Sequence, residues 1–383
     1  MQPIRGTPWT GLTGATLGFF FGFAAVALFG PTAARFQELM GLTPEQVGLL
    51  VAVPALSGSL LRIPFAAWVD TTGGRKPFLI LMCLSLAGML GLTLVISLDE
   101  LSPGLYPLIL FLGALCGCGI ATFSVGIGQI SYWFTMAGQG KALGIYAGVG
   151  NLAPGIFSFL LPVILASFGL RGAYLVWLFF LVCGTIGYFV FGRNAPYFQL
   201  LAQGLEPAAA RQAAREHGQQ LLPAGSLRQS LFLSARAWQT WILVALYFTT
   251  FGGFIALTAW LPTYWQALFA IGAVTAGMLT ALYSVLASVV RVFGGMVADR
   301  LGGENTVLAS LLIMLAGAVV MTLSESFPLS VTGIVLLAIG MGAGNAAVFK
   351  ILPQEVPQAV GGAAGWVGGL GAFGGFVIPP LLG

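Results

Sequence analysis

Acidic side chains and histidine are missing from the interior of every long apolar run in this 383-residue chain. All eleven carboxylates, Glu38, Glu45, Asp70, Asp99, Glu100, Glu206, Glu216, Asp299, Glu304, Glu325 and Glu355, fall at the ends of those runs or between them, and the sole histidine, His217, sits in a polar stretch. A membrane-embedded enzyme needs a nucleophile with its base, or a set of metal ligands, near the midplane, and the runs offer neither. Charge is scarce throughout, at 7% of residues where soluble domains carry about a quarter, so an ordinary soluble domain is excluded. Strict alternation of apolar and polar residues is lacking too, which excludes a β-barrel. The four cysteines, Cys83, Cys116, Cys118 and Cys183, all lie in apolar runs. Their one close pair has the spacing C-x-C without flanking ligands, so they read as small packing residues. No cofactor is implied, and no soluble output domain is available for a sensor.

What is present is apolar: 58% of residues, with a mean hydropathy of +0.97, mark an all-α integral membrane protein in contact with lipid. Unbroken segments lie at roughly 10–30, 45–69, 77–97, 104–133, 141–166, 172–192, 238–266, 271–298, 304–323, 329–350 and 358–383. Fifty-five glycines suit helices that pack closely where lipid supplies no hydrophobic drive for association. Counted from an inside start, the inner loops hold Arg5, Arg75, Lys76, Lys141, Arg193, Arg211, Arg215, Arg228, Arg236 and Arg300, against Arg35 and Arg171 outside. The excess predicts a cytoplasmic N-terminus in the cell's inner (plasma) membrane, and the net charge of +4 reports this orientation rather than a nucleic-acid partner.

The one long polar stretch, 193–237, reads as a cytoplasmic linker with a short surface helix, joining a six-helix bundle at 1–192 to a second bundle at 238–383. The halves repeat: the fifth segment reads AGVGNLAPGIFSF from Ala147 and the eleventh GGLGAFGGFVIPP from Gly368. Parallel repeats with a binding site between them at the midplane are a transporter design. A second half built like the first needs a twelfth span, and only eleven are evident, so the expectation is a chain lacking its last helix.

Two arginines break the apolar pattern. Arg62 and Arg291 each precede an aspartate by eight residues, Asp70 and Asp299, and each aspartate is separated by two residues from a Gly-Gly pair, Gly73-Gly74 and Gly302-Gly303. Eight residues at 1.5 Å place each guanidinium roughly 12 Å inside the span, near the middle of a hydrocarbon core. The pair costs on the order of 5 to 7 kcal/mol on insertion scales, with no buried carboxylate to offset it. A bound anion supplies the missing charge, and the flat, permanently charged guanidinium fork suits a planar oxyanion better than lysine does.

Asp70 with Gly73, Gly74, Arg75 and Lys76, and Asp299 with Arg300, Gly302 and Gly303, resemble the signature loops of the major facilitator superfamily, which act as gating hinges. Gly144 and Ala147-Gly148-Val149-Gly150-Asn151, together with Gly340-Met341-Gly342-Ala343-Gly344-Asn345-Ala346-Ala347-Val348-Phe349-Lys350, resemble the signature segments of its nitrate/nitrite porter family. With the arginines this resemblance runs across nearly the whole chain. It implies a major facilitator fold of two pseudo-symmetric six-helix bundles, and nitrate held between Arg62 and Arg291 with Asn151 donating to it. Phe123, Tyr247 and Phe251 would wall the anion, and Gly148, Gly150, Gly342, Gly344 and Asn345 would serve packing and gating.

The function expected is nitrate and nitrite transport by alternating access, in a monomer without cofactor, either as exchange or as nitrate uptake with protons. Lys350 either ends the tenth helix or lines the cytoplasmic exit. The rival is a proton-coupled porter for another small anion or organic solute, which predicts a carboxylate within a span.

Overall fold

The computed structural model describes residues 3–98, 101–220, 222, 227–356 and 360–382, and among them there is no strand. Helices long and apolar enough to cross a membrane cover Pro8–Met40, Pro44–Thr72, Arg75–Ile96, Pro103–Trp133, Ala142–Phe191, Trp238–Phe269, Ala273–Ala298, Gly303–Leu323, Phe327–Leu352 and Gly362–Leu382. The stretch Ala142–Phe191 is two spans. Fifty residues of helix would reach about 75 Å, more than twice a hydrocarbon core, and the helix is interrupted at Gly169, where φ is 68° and ψ −178°. Eleven spans result among the described residues, the number the apolar runs predict.

Local sequence sets where the spans begin and bend. Pro8 and Pro44 each occupy a first helical turn behind a threonine cap, with Thr7 paired to Thr10 and Thr43 to Gln46 in reciprocal capping boxes. The first span overruns its predicted 10–30 boundary because two 3-10 turns, Ala24–Ala27 and Gly30–Thr32, bend it without ending it. It stops only at Gly41, in the left-handed conformation. The second span breaks at Leu61, between helices Pro44–Leu60 and Arg62–Thr72. Pro64 has no N–H to return to the Leu60 carbonyl, so a regular helix cannot run through this point. The eleventh breaks at Phe373, and in the seventh the residues Phe248–Gly252 form a π-turn.

The first span packs on the sixth, with Phe21 stacked on Phe180 at 5.9 Å, and the third on the sixth, with Phe78 stacked on Tyr188 at 3.8 Å. The fifth meets the eighth, where Ser288 Oγ donates to the Asn151 carbonyl at 3.1 Å. The second meets the eleventh, where a Cβ on Gly48 would lie 3.0 Å from Pro380 Cα. In the polar stretch the described residues form three helices where one surface helix is expected, Pro196–Ala202, Pro207–Glu216 and Leu227–Arg236. The last is not free on the surface: Trp366 Nε1 on the eleventh span donates to the Leu231 carbonyl at 3.0 Å.

Candidate functional site

Arg62 is the first residue after the break in the second span and is fully buried. Its Nη1 donates to the Gly368 carbonyl on the eleventh span at 3.1 Å, while Nε and Nη2 are buried with no acceptor. Its guanidinium lies over two rings, 5.1 Å from the Phe123 centroid and 5.3 Å from that of Phe251. Arg291 occupies the unbroken eighth span, 5.4 Å from the same Phe251 centroid. Its Nη2 donates to Tyr247 Oη at 3.4 Å, and its Nη1 is buried without an acceptor. The two cations are therefore separated by no more than the sum of their distances to one shared ring. Stacking on aromatic faces offsets part of the burial cost, about 2 kcal/mol for a desolvated contact, yet leaves three N–H-bearing nitrogens unanswered.

The π-turn explains how Tyr247 and Phe251 serve one site. The extra residue it inserts re-phases the seventh span there, and the two rings stack at 4.8 Å with 11° between planes. Phe123 comes from the fourth span, just after a 3-10 turn at Cys118–Ala121, with its ring 6.3 Å from Phe251. Behind it Tyr146 donates to the Thr122 carbonyl at 2.8 Å and stacks on Phe123 at 6.2 Å, which fixes the direction of the ring.

Asn151 is buried on the fifth span, its carbonyl held by Ser288, less than one turn before Arg291; its Oδ1 is buried with no partner. Asn345 is likewise buried with an unpartnered Oδ1, on the tenth span. Four residues further on, Phe349 packs edge-on against Tyr247 at 5.1 Å. Of the glycines expected to pack, a Cβ on Gly150 would strike the Phe19 ring, one on Gly342 would lie 2.5 Å from the Ala287 carbonyl, and one on Gly344 2.7 Å from Thr250. Gly148 differs: a Cβ there would meet nothing within 4 Å, because that side of the fifth span has no neighbour.

A separate cavity of about 650 Å³ lies among the seventh, ninth, tenth and eleventh spans, bordered by residues such as Trp260, Leu311 and Met341. Its lining holds no charged side chain, so it does not compete with the arginine pair as a site for an ion.

Residues 15–379 match the model of the Major Facilitator Superfamily. The chain belongs to the major facilitator superfamily. It is 32% identical to the probable nitrate/nitrite antiporter NarK1 of Thermus thermophilus, over 96% of this chain and 83% of that one. Within the superfamily the chain falls in the nitrate/nitrite porter family. It is 27% identical to the probable nitrate transporter NarT of Staphylococcus epidermidis, over 97% and 87%. It is 26% identical to the nitrite extrusion protein of Bacillus subtilis, over 96% and 84%. Among solved structures, the xylose transporter XylE of E. coli in a partially occluded inward-open conformation superposes with a TM-score of 0.68, at 15% identity over 98% of this chain and 93% of that one.

The first signature loop of this major facilitator chain is locked by its neighbours within the first six spans. Gly73 has φ +75°, and a Cβ on it would lie 2.5 Å from the Asn194 amide; one on Gly74 would lie 2.5 Å from Gln129. That amide accepts from Arg75 N at 2.8 Å and donates to the Thr72 carbonyl at 3.1 Å. Tyr132 Oη donates to Asp70 at 2.6 Å. Arg75 does not pair with a carboxylate: it donates to the Gly192 and Phe189 carbonyls, at 2.5 and 2.8 Å, at the end of the sixth span. The charge of Arg75 thus meets the negative end of a helix. In the second loop Gly302 has φ +87° and Arg300 is exposed, while the Asp299 side chain lies outside the described residues.

Sequence reasoning missed Phe19, Tyr146 and the Gly368 carbonyl as builders of the site. Phe19 lies in a run of aromatics at 19–23 whose faces are not distinguishable by type, and a backbone acceptor leaves no mark in a sequence at all.

Proposed function

We propose that this protein carries nitrate and nitrite across the plasma membrane by alternating access, with the anion clamped between Arg62 and Arg291. The reading rests above all on the three buried guanidinium nitrogens without acceptors, Arg62 Nε, Arg62 Nη2 and Arg291 Nη1. A flat oxyanion offers acceptors to two forks at once, and its single negative charge removes half of the formal charge of the pair. The Phe123 and Phe251 rings, both against the Arg62 guanidinium, wall the ion. Asn151 and the Tyr247 hydroxyl add neutral hydrogen-bonding groups beside it. The relatives named as nitrate or nitrite transporters support the choice of substrate.

The two bundles, residues 1–192 and 238–383, rock about this point, and the linker 193–237 with the N-terminus faces the cytoplasm, in keeping with the positive-inside count. Without an anion the two cations repel each other and resist closure of the halves around the site. Loaded, the site closes, so exchange outpaces return of the unloaded carrier. Among the described residues no carboxylate lies between span ends to carry a proton, which favours exchange over symport. The test is a proteoliposome assay with nitrate inside, nitrite outside and an imposed pH gradient. Counterflow that exceeds net flux and ignores the gradient is expected; net uptake driven by the gradient at an equal rate refutes the exchange mode, and competition by a neutral sugar but not by nitrite refutes the substrate.

A further inference from the structure

A ladder of buried polar side chains runs away from Arg291 along the seam between the fifth and eighth spans, toward the end of the protein opposite Asp70. The register comes from three contacts. Ser288 Oγ meets the Asn151 carbonyl at 3.1 Å, a Cβ on Gly155 would lie 2.9 Å from Ser284 Cβ, and one on Gly277 would lie 2.3 Å from the Ser158 carbonyl. Each step up the fifth span is a step back down the eighth. From Arg291 to Gly277 the ladder covers about 21 Å of helix axis, more than half of a hydrocarbon core.

Its hydroxyls are unusual in one respect. A serine in a helix within an apolar environment ordinarily donates to the carbonyl four residues before it. Ser288 does so to Ser284 and Thr280 to Ala276. Ser284 and Ser158, both fully buried, do not: neither hydroxyl has any partner. Ser284 Oγ would sit 3.1 Å from a Cβ on Gly155, which aims it into the seam. Two other contacts between the halves at this end differ. Gly30 approaches the Ala259 carbonyl, Gly48 approaches Pro380 and Gly375 approaches Ala55, all through backbone and hydrocarbon.

We infer that the fifth–eighth seam is the passage by which the anion reaches the arginine pair from the end opposite Asp70, with Ser158, Ser284 and Asn151 handing it inward when the halves part there. Neutral donors suit that task. They replace water around a small oxyanion in passing without binding it as tightly as a second cation would. The inference deepens the transport reading above and rests on it.

The experiment places single cysteines in a cysteine-free background, reconstituted, and adds a charged, impermeant thiol reagent from the side opposite Asp70. The Gly30→Ala variant wedges that end open, since its Cβ meets the Ala259 carbonyl at 2.0 Å. In the wedged protein Ser284→Cys is modified at least tenfold faster than in the unwedged one, and faster than Ala55→Cys in the second–eleventh seam; faster reaction at Ala55→Cys, or no acceleration at Ser284→Cys, overturns the route. No nitrate is needed for this measurement, so it stands apart from the substrate assignment. A second measurement stands if the wedge does not fold. Ser158→Ala/Ser284→Ala slows exchange initiated from that side at least fivefold, while equilibrium nitrate binding stays within twofold; a wild-type exchange rate in this variant overturns the passage. Failure of the unmodified protein to bind nitrate overturns the transport reading instead.

Discussion

Arg62→Lys keeps the positive charge and removes the fork. In the structure Arg62 spends one arm on the Gly368 carbonyl at 3.1 Å and turns Nε and Nη2 toward no protein acceptor. A lysine ammonium is a compact point charge; it can hold the carbonyl or the anion, and cannot present two parallel donors to the anion while doing so. Losing one hydrogen bond to a charged partner costs about 1.5 to 3 kcal/mol, which corresponds to roughly 10- to 150-fold in affinity. The flat guanidinium also loses its faces on Phe123 and Phe251, so the larger end of the range is expected. Calorimetric titration of nitrate into the purified protein reads the affinity, and counterflow in proteoliposomes reads transport. Both fall together if the clamp is the site. Arg291→Lys falls by a similar factor, and the double variant loses less than the sum of the two single effects, because one anion completes both forks. Nitrate affinity within twofold of wild type in Arg62→Lys refutes the clamp, because charge alone then suffices.

Two further outcomes follow from other parts of the molecule. Phe251→Leu preserves most of the volume but removes the ring shared by both guanidiniums at 5.3 and 5.4 Å; a loss of about 1 to 3 kcal/mol in nitrate binding, summed over two cation–π contacts, is expected by calorimetry, and an unchanged affinity shows the ring to be packing alone. Gly73→Ala meets both a φ of +75° and the Asn194 amide at 2.5 Å; about 1 to 3 kcal/mol of backbone strain lowers the melting temperature measured in detergent, and the further change Asn194→Ala recovers only the steric part.

Some of this architecture was plain from composition and spacing. A hydrocarbon core admits only backbones that satisfy themselves, so apolar length converts directly into spans, and even the turn at Gly169 falls in the gap predicted between 166 and 172. The arginines stood out for the same reason, since charge is so costly at that depth that its presence alone marks a candidate site. The aromatic partners were recognisable only by resemblance to a family. With 29 phenylalanines in the chain, residue type cannot separate a ring that faces a guanidinium from one that faces lipid. The partners of Arg75 were not legible: within its signature loop it meets carbonyls at the end of the sixth span. Carbonyls are present at every residue, so nothing in a sequence says which of them a side chain will find.

By itself the sequence determined that the chain lives in a membrane, where its apolar spans lie, and that two cations sit within those spans without a carboxylate beside them. Those properties depend on hydrocarbon thickness and on the cost of charge, both of which act on residues one at a time. Only the tertiary structure decided that the two cations share the face of Phe251, that a π-turn brings Tyr247 beside it, and that the orphan Ser284 hydroxyl faces the seam leading away from Arg291. Each of these depends on how one helix is rotated and slid against another, and that register is fixed by packing between distant segments rather than by any residue's own chemistry.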